Sequence, residues 1–192
     1  MHGFWVSLAL ILVAEMGDKT QLVALTLATR YQASVVLAGV FVATLAVHAF
    51  SVILGELAGT MLPLGWVQLL SGVAFIGFGF WTLRGDRLEE NGGRINRLAS
   101  PFVIVAVTFF LAELGDKTML GTVTLAATYP AFQVWIGSTL GMVIADGLAI
   151  WLGKVLGQRL PDRAIRLGAA AIFFAVGLIY GVYGWRMLVR GN

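Results

Sequence analysis

Six apolar runs, at residues 4–29, 33–57, 64–83, 101–128, 131–156 and 165–188, fill almost the whole chain. Each can cross a hydrocarbon layer about 30 Å thick as a helix rising about 1.5 Å per residue. Within such a layer water cannot satisfy the backbone, so only helices or closed barrels span it. The runs lack the period-two alternation of lipid-facing strands, which leaves helices. Of the 192 residues, 59% are apolar and 12% charged, against about 45–50% and about 25% in soluble domains. This excludes a disordered tail and an ordinary soluble enzyme. With no cysteine, a disulfide scaffold and a thiolate metal site are excluded too. The expected fold class is an all-α polytopic membrane protein with six transmembrane helices, with nothing left over for a soluble domain.

The sequence also repeats itself. Shifted by 98 residues, Ala14-Glu15-Met16-Gly17-Asp18-Lys19-Thr20 falls on Ala112-Glu113-Leu114-Gly115-Asp116-Lys117-Thr118 without a gap. Tyr31 falls on Tyr129, Gly39 on Gly137, Gly55 on Gly153 and Pro63 on Pro161. Nineteen of the 50 pairs from Ala14 to Pro63 are identical. Two unrelated apolar segments would match at Leu and Ala, not at Glu, Asp, Lys, Tyr and Pro in register. The halves are residues 1–83 and 101–192, joined by a polar loop at 84–100. With three spans each, an odd number, they enter the membrane in opposite directions. Such inverted repeats place a transporter's site near the midplane, where the halves meet.

The basic residues set the orientation. Arg84, Arg87, Arg94 and Arg97 follow span three; Lys154, Arg159, Arg163 and Arg166 follow span five; Arg30 follows span one. Only Arg186 and Arg190 fall on the other side. The positive-inside rule then puts the 84–100 loop in the cytoplasm and both termini outside. Basic residues placed between apolar runs are topology signals, so no nucleic-acid partner is expected. The first run has no basic flank or small-residue cleavage site, and is expected as a retained helix rather than a signal peptide. Trp5, Trp66, Trp135 and Trp185 fall near span ends, as interface anchors would.

Glu15 and Glu113 lie about 11 and 12 residues into spans one and four, roughly 16 and 18 Å deep. A carboxylate there costs on the order of 3 kcal/mol or more. Four such acids, Glu15, Asp18, Glu113 and Asp116, exceed what a purely structural role explains. On continuous helices, Glu15, Asp18, Lys19 and Thr26 would share one face, as would Glu113, Asp116, Lys117 and Thr124. Two facing copies gather four carboxylates and two ammonium groups, a formal sum of −2 that one divalent cation or two protons would neutralise. That is the logic of an antiporter. The donors are hard oxygens: the carboxylates, Thr20, Thr118 and Gln21. They suit Ca²⁺, Mn²⁺ or Mg²⁺ better than Cu⁺. Gly17 and Gly115 permit either close packing or a local break that frees carbonyls.

The doubled Glu-x-Gly-Asp-Lys-Thr motif, in the first and fourth of six spans, closely resembles the Gdt-one family of membrane cation/proton exchangers. That family includes animal Golgi, chloroplast and bacterial manganese transporters. The resemblance covers essentially the whole chain. It implies that Glu15, Asp18, Glu113 and Asp116 bind the cation, with Lys19, Thr20, Lys117 and Thr118 completing each motif. It also implies exchange of Mn²⁺, and in several members Ca²⁺, against protons. The cation is cargo; no resident cofactor is expected. A bacterial plasma membrane is the expected home of a chain without an organelle-targeting extension.

Each residue also has a plainer role open to it. The motif acids could form an ion-pair lock, Lys19 and Lys117 could pair at i,i+4 with Glu15 and Glu113, and Thr20 and Thr118 could bond back to their own helix. As alternatives, the lysines could stand in for the cation when the site is empty. His48 and Asp146, equivalent in spans two and five, could serve packing or a proton relay. The Gly-x-x-x-Gly pairs at 55/59, 137/141, 153/157 and 177/181 mark close helix contacts, within one chain or in a homodimer. Among functions, an exporter exchanging a divalent cation for protons comes first. A divalent cation channel would show voltage dependence without pH coupling. A small-organic exporter of the amino-acid-exporting type fits four buried acids poorly. A lipid-acting enzyme has neither a nucleophile motif nor a headgroup-binding loop.

Overall fold

The computed structural model describes residues 1–84, 100–156 and 162–190. Every regular element among them is helical: α1 (His2–Glu15), α2 (Lys19–Arg30), α3 (Ala33–Met61), α4 (Leu64–Arg84), α5 (Pro101–Glu113), α6 (Lys117–Ala126), α7 (Ala131–Leu156) and α8 (Asp162–Arg190). Among the described residues, four segments are long and apolar enough to cross a membrane: Ala33–Met61, Leu64–Arg84, Ala131–Gly153 and Leu167–Arg190. The proposed cytoplasmic loop, apart from its ends, and the connection after α7 lie outside the described residues.

The expectation of one continuous helix over 4–29 and another over 101–128 is not met. Each run folds as two short helices, α1–α2 and α5–α6, joined by three residues. The cause is local: Gly17 and Gly115 adopt φ of 76° and 78°, a left-handed conformation that ends helices and that a Cβ disfavours. Both aspartates sit just past the breaks. Asp116 is the N-cap of α6, and Asp18 immediately precedes α2.

The helices pack in reciprocal pairs. α1 lies on α7 and its repeat mate α5 on α3; α6 lies on α3 and its mate α2 on α7; α4 lies against α8. Small residues make the approach close, since in lipid such packing replaces the hydrophobic drive. A Cβ on Gly137 or Gly141 would stand 2.4 Å from Phe4 O or 2.5 Å from Leu8 O of α1. At the α4–α8 seam, a Cβ on Gly72 would meet Gly181 N at 2.5 Å and one on Gly184 would meet Leu69 N at 2.3 Å. The glycine contacts described are thus internal to the chain. Phe75, Phe78 and Phe173 hold the seam to the rest, with Phe75 stacked on Phe173 at 6.2 Å and edge-on to Phe78 at 5.9 Å. Val36, Val40 and Ala43 of α3, Val105 and Phe109 of α5, and Ala24 of α2 belong to a second core cluster.

Trp5, Trp66 and Trp185 are exposed, in keeping with interface anchors. Trp135 departs from that pattern. Its indole N–H turns inward and donates to Leu45 O at 3.0 Å, tying α7 to α3.

Gly184→Val should overpack the α4–α8 seam and lower stability by about 1–3 kcal/mol. Gly77→Ala, whose Cβ would meet nothing within 4 Å, should leave the thermal midpoint in detergent unchanged. Equal midpoints for the two variants would refute this account of the seam.

Candidate functional site

Each break turns its carboxylate inward and supplies it with a donor. Asp18 N–H donates to Glu15 O at 3.0 Å, and Asp116 N–H to Glu113 O at 3.1 Å, closing the same turn twice. In the first copy Thr20 Oγ1 donates to Glu15 Oε1. In the second, Thr118 Oγ1 donates to Glu113 Oε2 at 2.7 Å. The threonines therefore serve the carboxylates and do not bond back to their own helices. Because the helix stops between them, Glu15 and Lys19 do not share a continuous face, and neither do Glu113 and Lys117. For Lys117 the i,i+4 pairing with Glu113 that an unbroken helix would allow gives way to a contact across the repeat.

That contact joins the two copies. Lys117 Nζ of the second motif lies 2.6 Å from Asp18 Oδ2 of the first. Lys117 is 3% exposed, Asp18 1%, Asp116 2%, and Glu15 and Glu113 0%. The side chain of Lys19 lies outside the described set. The four sequence-selected acids are thus all buried, and their two halves meet. The N-termini of α2 and α6, with their partial positive charge, begin within the same region.

Asp146 joins them. It is fully buried on α7 and acts electrostatically on Glu15 and Glu113. Neither of its oxygens has a hydrogen-bond partner among the described residues, and neither do Glu15 Oε2, Glu113 Oε1 and both nitrogens of His48. His48, Asp146's repeat mate, is fully buried on α3. Among the described residues, neither side chain makes the hydrogen bond that a packing role would supply. Five carboxyl groups in low dielectric need cations or protons to offset them, and Lys117 is one such cation. Among the described residues, no three His, Asp or Glu side chains are gathered closely enough to hold a metal ion. Glu15 and Glu113 are engaged with threonine hydroxyls and Asp18 with an ammonium.

Gln21 does more than the sequence reading asked of it. Its Oε1 accepts from Gly17 N–H at 2.8 Å, and its Nε2 donates to Ala145 O of α7 at 3.1 Å. Met119, 98 residues on, caps the second break alone: its sulfur accepts from Gly115 N–H at 3.1 Å. Met119 was missed, although the repeat register places it opposite Gln21. Thr44 and Met142 were missed as well. They are repeat mates that touch each other, Thr44 Oγ1 donating to Met142 Sδ at 3.2 Å.

Comparison with known proteins points to one family. A family model described as "Divalent cation/proton antiporter GDT1" matches residues 3–90 and 101–188, segments separated by the same 98 residues as the repeat. A Vibrio cholerae protein named "Putative manganese exporter" is 36% identical over 179 residues, covering 90% of this chain and 87% of its own. A GDT1-like protein of Synechocystis is 31% identical over 205 residues, 96% of this chain and 97% of its own. A chloroplastic GDT1-like protein of Oryza sativa is 32% identical over 214 residues, 94% of this chain and 62% of its own. No solved structure matches. The chain is a membrane protein of the GDT1 (Gdt-one) family, a family of divalent cation/proton antiporters rather than enzymes.

Proposed function

We propose that this chain exports a divalent cation, Mn²⁺ first and Ca²⁺ second, from the cytoplasm in exchange for protons. The site is the buried cluster of Glu15, Asp18, Glu113 and Asp116, with Thr20, Thr118, Gln21, Lys19 and Lys117 around it and His48 and Asp146 beside it. The reading rests above all on the Lys117–Asp18 contact, which brings two motif copies 98 residues apart into one buried place. Hard oxygen donors favour Mn²⁺ or Ca²⁺. The name of the Vibrio relative favours manganese.

In this reading α1 with α2, and α5 with α6, are broken spans. At 14 and 12 residues, α1 and α2 are about 21 and about 18 Å long, so only together do they cross about 30 Å. Six crossings result, as two oppositely directed repeats at 1–83 and 101–192. Both termini lie outside, the 84–100 loop lies in the cytoplasm, and the bilayer is the inner membrane of a bacterium. The reciprocal packing of mates supports the two-fold relation. So does the Thr44–Met142 contact, because equivalent residues touch each other only near a two-fold axis. The breaks put helix N-termini and freed carbonyls beside the site, as in other transporters with discontinuous helices.

Lys117 then acts as the internal cation. Its ammonium neutralises part of the cluster between loads and is displaced when the divalent ion enters. The protons returned in exchange take the carboxylates in the same way.

In proteoliposomes with a panel of divalent cations and an internal pH dye, the wild type should couple Mn²⁺ flux to opposite proton movement. Glu15→Gln and Asp116→Asn should each lower that flux at least about 100-fold, the loss expected when a buried charge partner is removed at a cost of about 3 kcal/mol or more, while the proteins still fold. Wild-type flux in both would sink the assignment. Voltage-driven cation entry with no pH change would make the protein a channel.

Lys117→Gln separates the stand-in role from simple charge offset. A stand-in is needed for release, so the variant should hold Mn²⁺ in equilibrium binding while its exchange rate falls by about tenfold or more, the response to a barrier raised by about 1.4 kcal/mol. Loss of binding together with rate would assign the lysine to folding of the site instead.

A further inference from the structure

The two repeats share a sequence pattern but not a conformation. α6 is seated on α3 backbone to backbone: a Cβ on Gly55 would stand 2.3 Å from Val123 O, and one on Gly59 would stand 2.5 Å from Ala127 O. The mate of Gly55 is Gly153 and the mate of Val123 is Leu25. At Gly153 the three nearest atoms are all in the Leu25 side chain, the closest being Cδ1 at 2.4 Å. A side chain fills there what main chain fills in the other half. α2 therefore stands about one side chain farther from α7 than α6 stands from α3.

Burial follows the same inequality. Leu125 and Ala126 of α6 are buried, whereas their mates Leu27 and Ala28 are only half-buried. α6 also packs against α1 and α4. Just beyond its end, Tyr129 accepts from the Tyr180 hydroxyl at 2.8 Å and meets the His2 ring at 5.8 Å. The start of α2 is tethered by Gln21, which bridges Gly17 and Ala145, while its later turns pack on the second core cluster through Leu27 and Ala28 and meet Gly153 through the Leu25 side chain.

Gly55 must be glycine for the arrangement present here. Gly153 need not be, because the far end of a flexible leucine could yield to a Cβ. We propose that Gly153 is kept bare for a contact made only in the opposite-facing state, in which α2 seats on α7 as α6 now seats on α3. Gly17 and Gly115 are the pivots, and Gly55 and Gly153 are the alternating seats. This rests on the proposed transport reading and its orientation. There the α2 end faces the cytoplasm, so the present state is open inward and sealed outward by α6. A ligand-driven change of facing requires two states of comparable free energy. Glycine seats at equivalent positions, Gly55 and Gly153, supply that near-equality.

The chain has no cysteine, so single reporters are clean. Ala28→Cys and Ala126→Cys are each placed in the full chain in vesicles, and a membrane-impermeant maleimide is applied to either face. In the otherwise native chain, Ala28→Cys should label faster than Ala126→Cys. Gly55→Ala, which blocks the present seat, should slow the first and speed the second. The ratio should shift by about tenfold, as expected for overpacking by one methyl. Leu25→Ala removes the spacer under α2 and should shift the ratio the same way without touching the α3–α6 seat, so it decides the matter if Gly55→Ala does not fold. Adding Gly153→Ala to Leu25→Ala should reverse the shift. Unchanged ratios with Leu25→Ala, or a shift that Gly153→Ala leaves intact, would overturn the proposal. Labelling requires no cation flux. A chain that switches its labelling but moves no Mn²⁺ would refute the cargo reading alone, and one that exchanges Mn²⁺ with fixed labelling would refute this inference alone.

Discussion

Two helices that stop partway along apolar runs, after Glu15 and Glu113, are the constraint on which the rest depends. A helix end leaves backbone N–H and C=O groups without intrahelical partners, and in hydrocarbon each such group costs several kcal/mol. The breaks after Glu15 and Glu113 are therefore tolerable only within a polar shell. The chain builds that shell from the neighbouring residues. Gln21 and Met119 take the Gly17 and Gly115 N–H groups, and Thr20 and Thr118 turn their hydroxyls onto the carboxylates. Lys117 reaches across to Asp18. The same breaks that create the need for polar partners also gather the acids, so the local backbone and the site chemistry have one cause.

Around this polar centre the packing is deliberately close. α3 and α7 each carry glycines where a partner's backbone arrives, and the second core cluster fills the space between α2, α3, α5 and α7. α4 and α8 mainly pack on one another, through Gly72, Gly177 and Gly184. They meet the centre through Phe75, Phe78 and Phe173, against Leu125 and Ala126 of α6. Since lipid offers apolar surface as good as leucine, such seams hold by fit and not by expulsion of water. This explains why glycine, poor for isolated helices, is so common here.

Much of this was legible before any coordinates. The repeat at 98 residues, the selection of Glu15, Asp18, Glu113 and Asp116 and the need to offset their buried charge all follow from the chain itself. What stayed hidden was the backbone at Gly17 and Gly115. With 24 glycines in the chain, two more in an apolar run carry no distinctive mark, and both packing and breaking were open. Taking the helix as continuous put Glu15 and Lys19 on one face and left Thr20 free to bond backward. One left-handed residue in each run undoes both. The link from Lys117 to Asp18 was hidden for a related reason. It spans two elements, and local spacing carries no information about contacts across the repeat.

The pattern of identity and divergence between the halves now has a physical sense. Positions that hold the acids and their hydroxyl partners are the same in both copies, because each half must present the same chemistry to the same centre. Positions near the meeting line differ: Thr44 against Met142, His48 against Asp146, Gln21 against Met119. Near a two-fold axis a residue shares space with its own mate, so complementarity demands unlike partners; a hydroxyl donor over a thioether acceptor is such a pair. At the Gln21–Met119 pair, a thioether in place of an amide leaves one tether unmade. Ala145 O is held by Gln21 Nε2, while the equivalent carbonyl of Val47 accepts from Ser51 on its own helix. A strictly symmetric chain would have no reason to rest in one arrangement over its mirror. In the proposed transport reading, the few unlike pairs would bias that choice without altering the duplicated acids, so a preference for one facing and the chemistry of the cargo would be carried by separate residues.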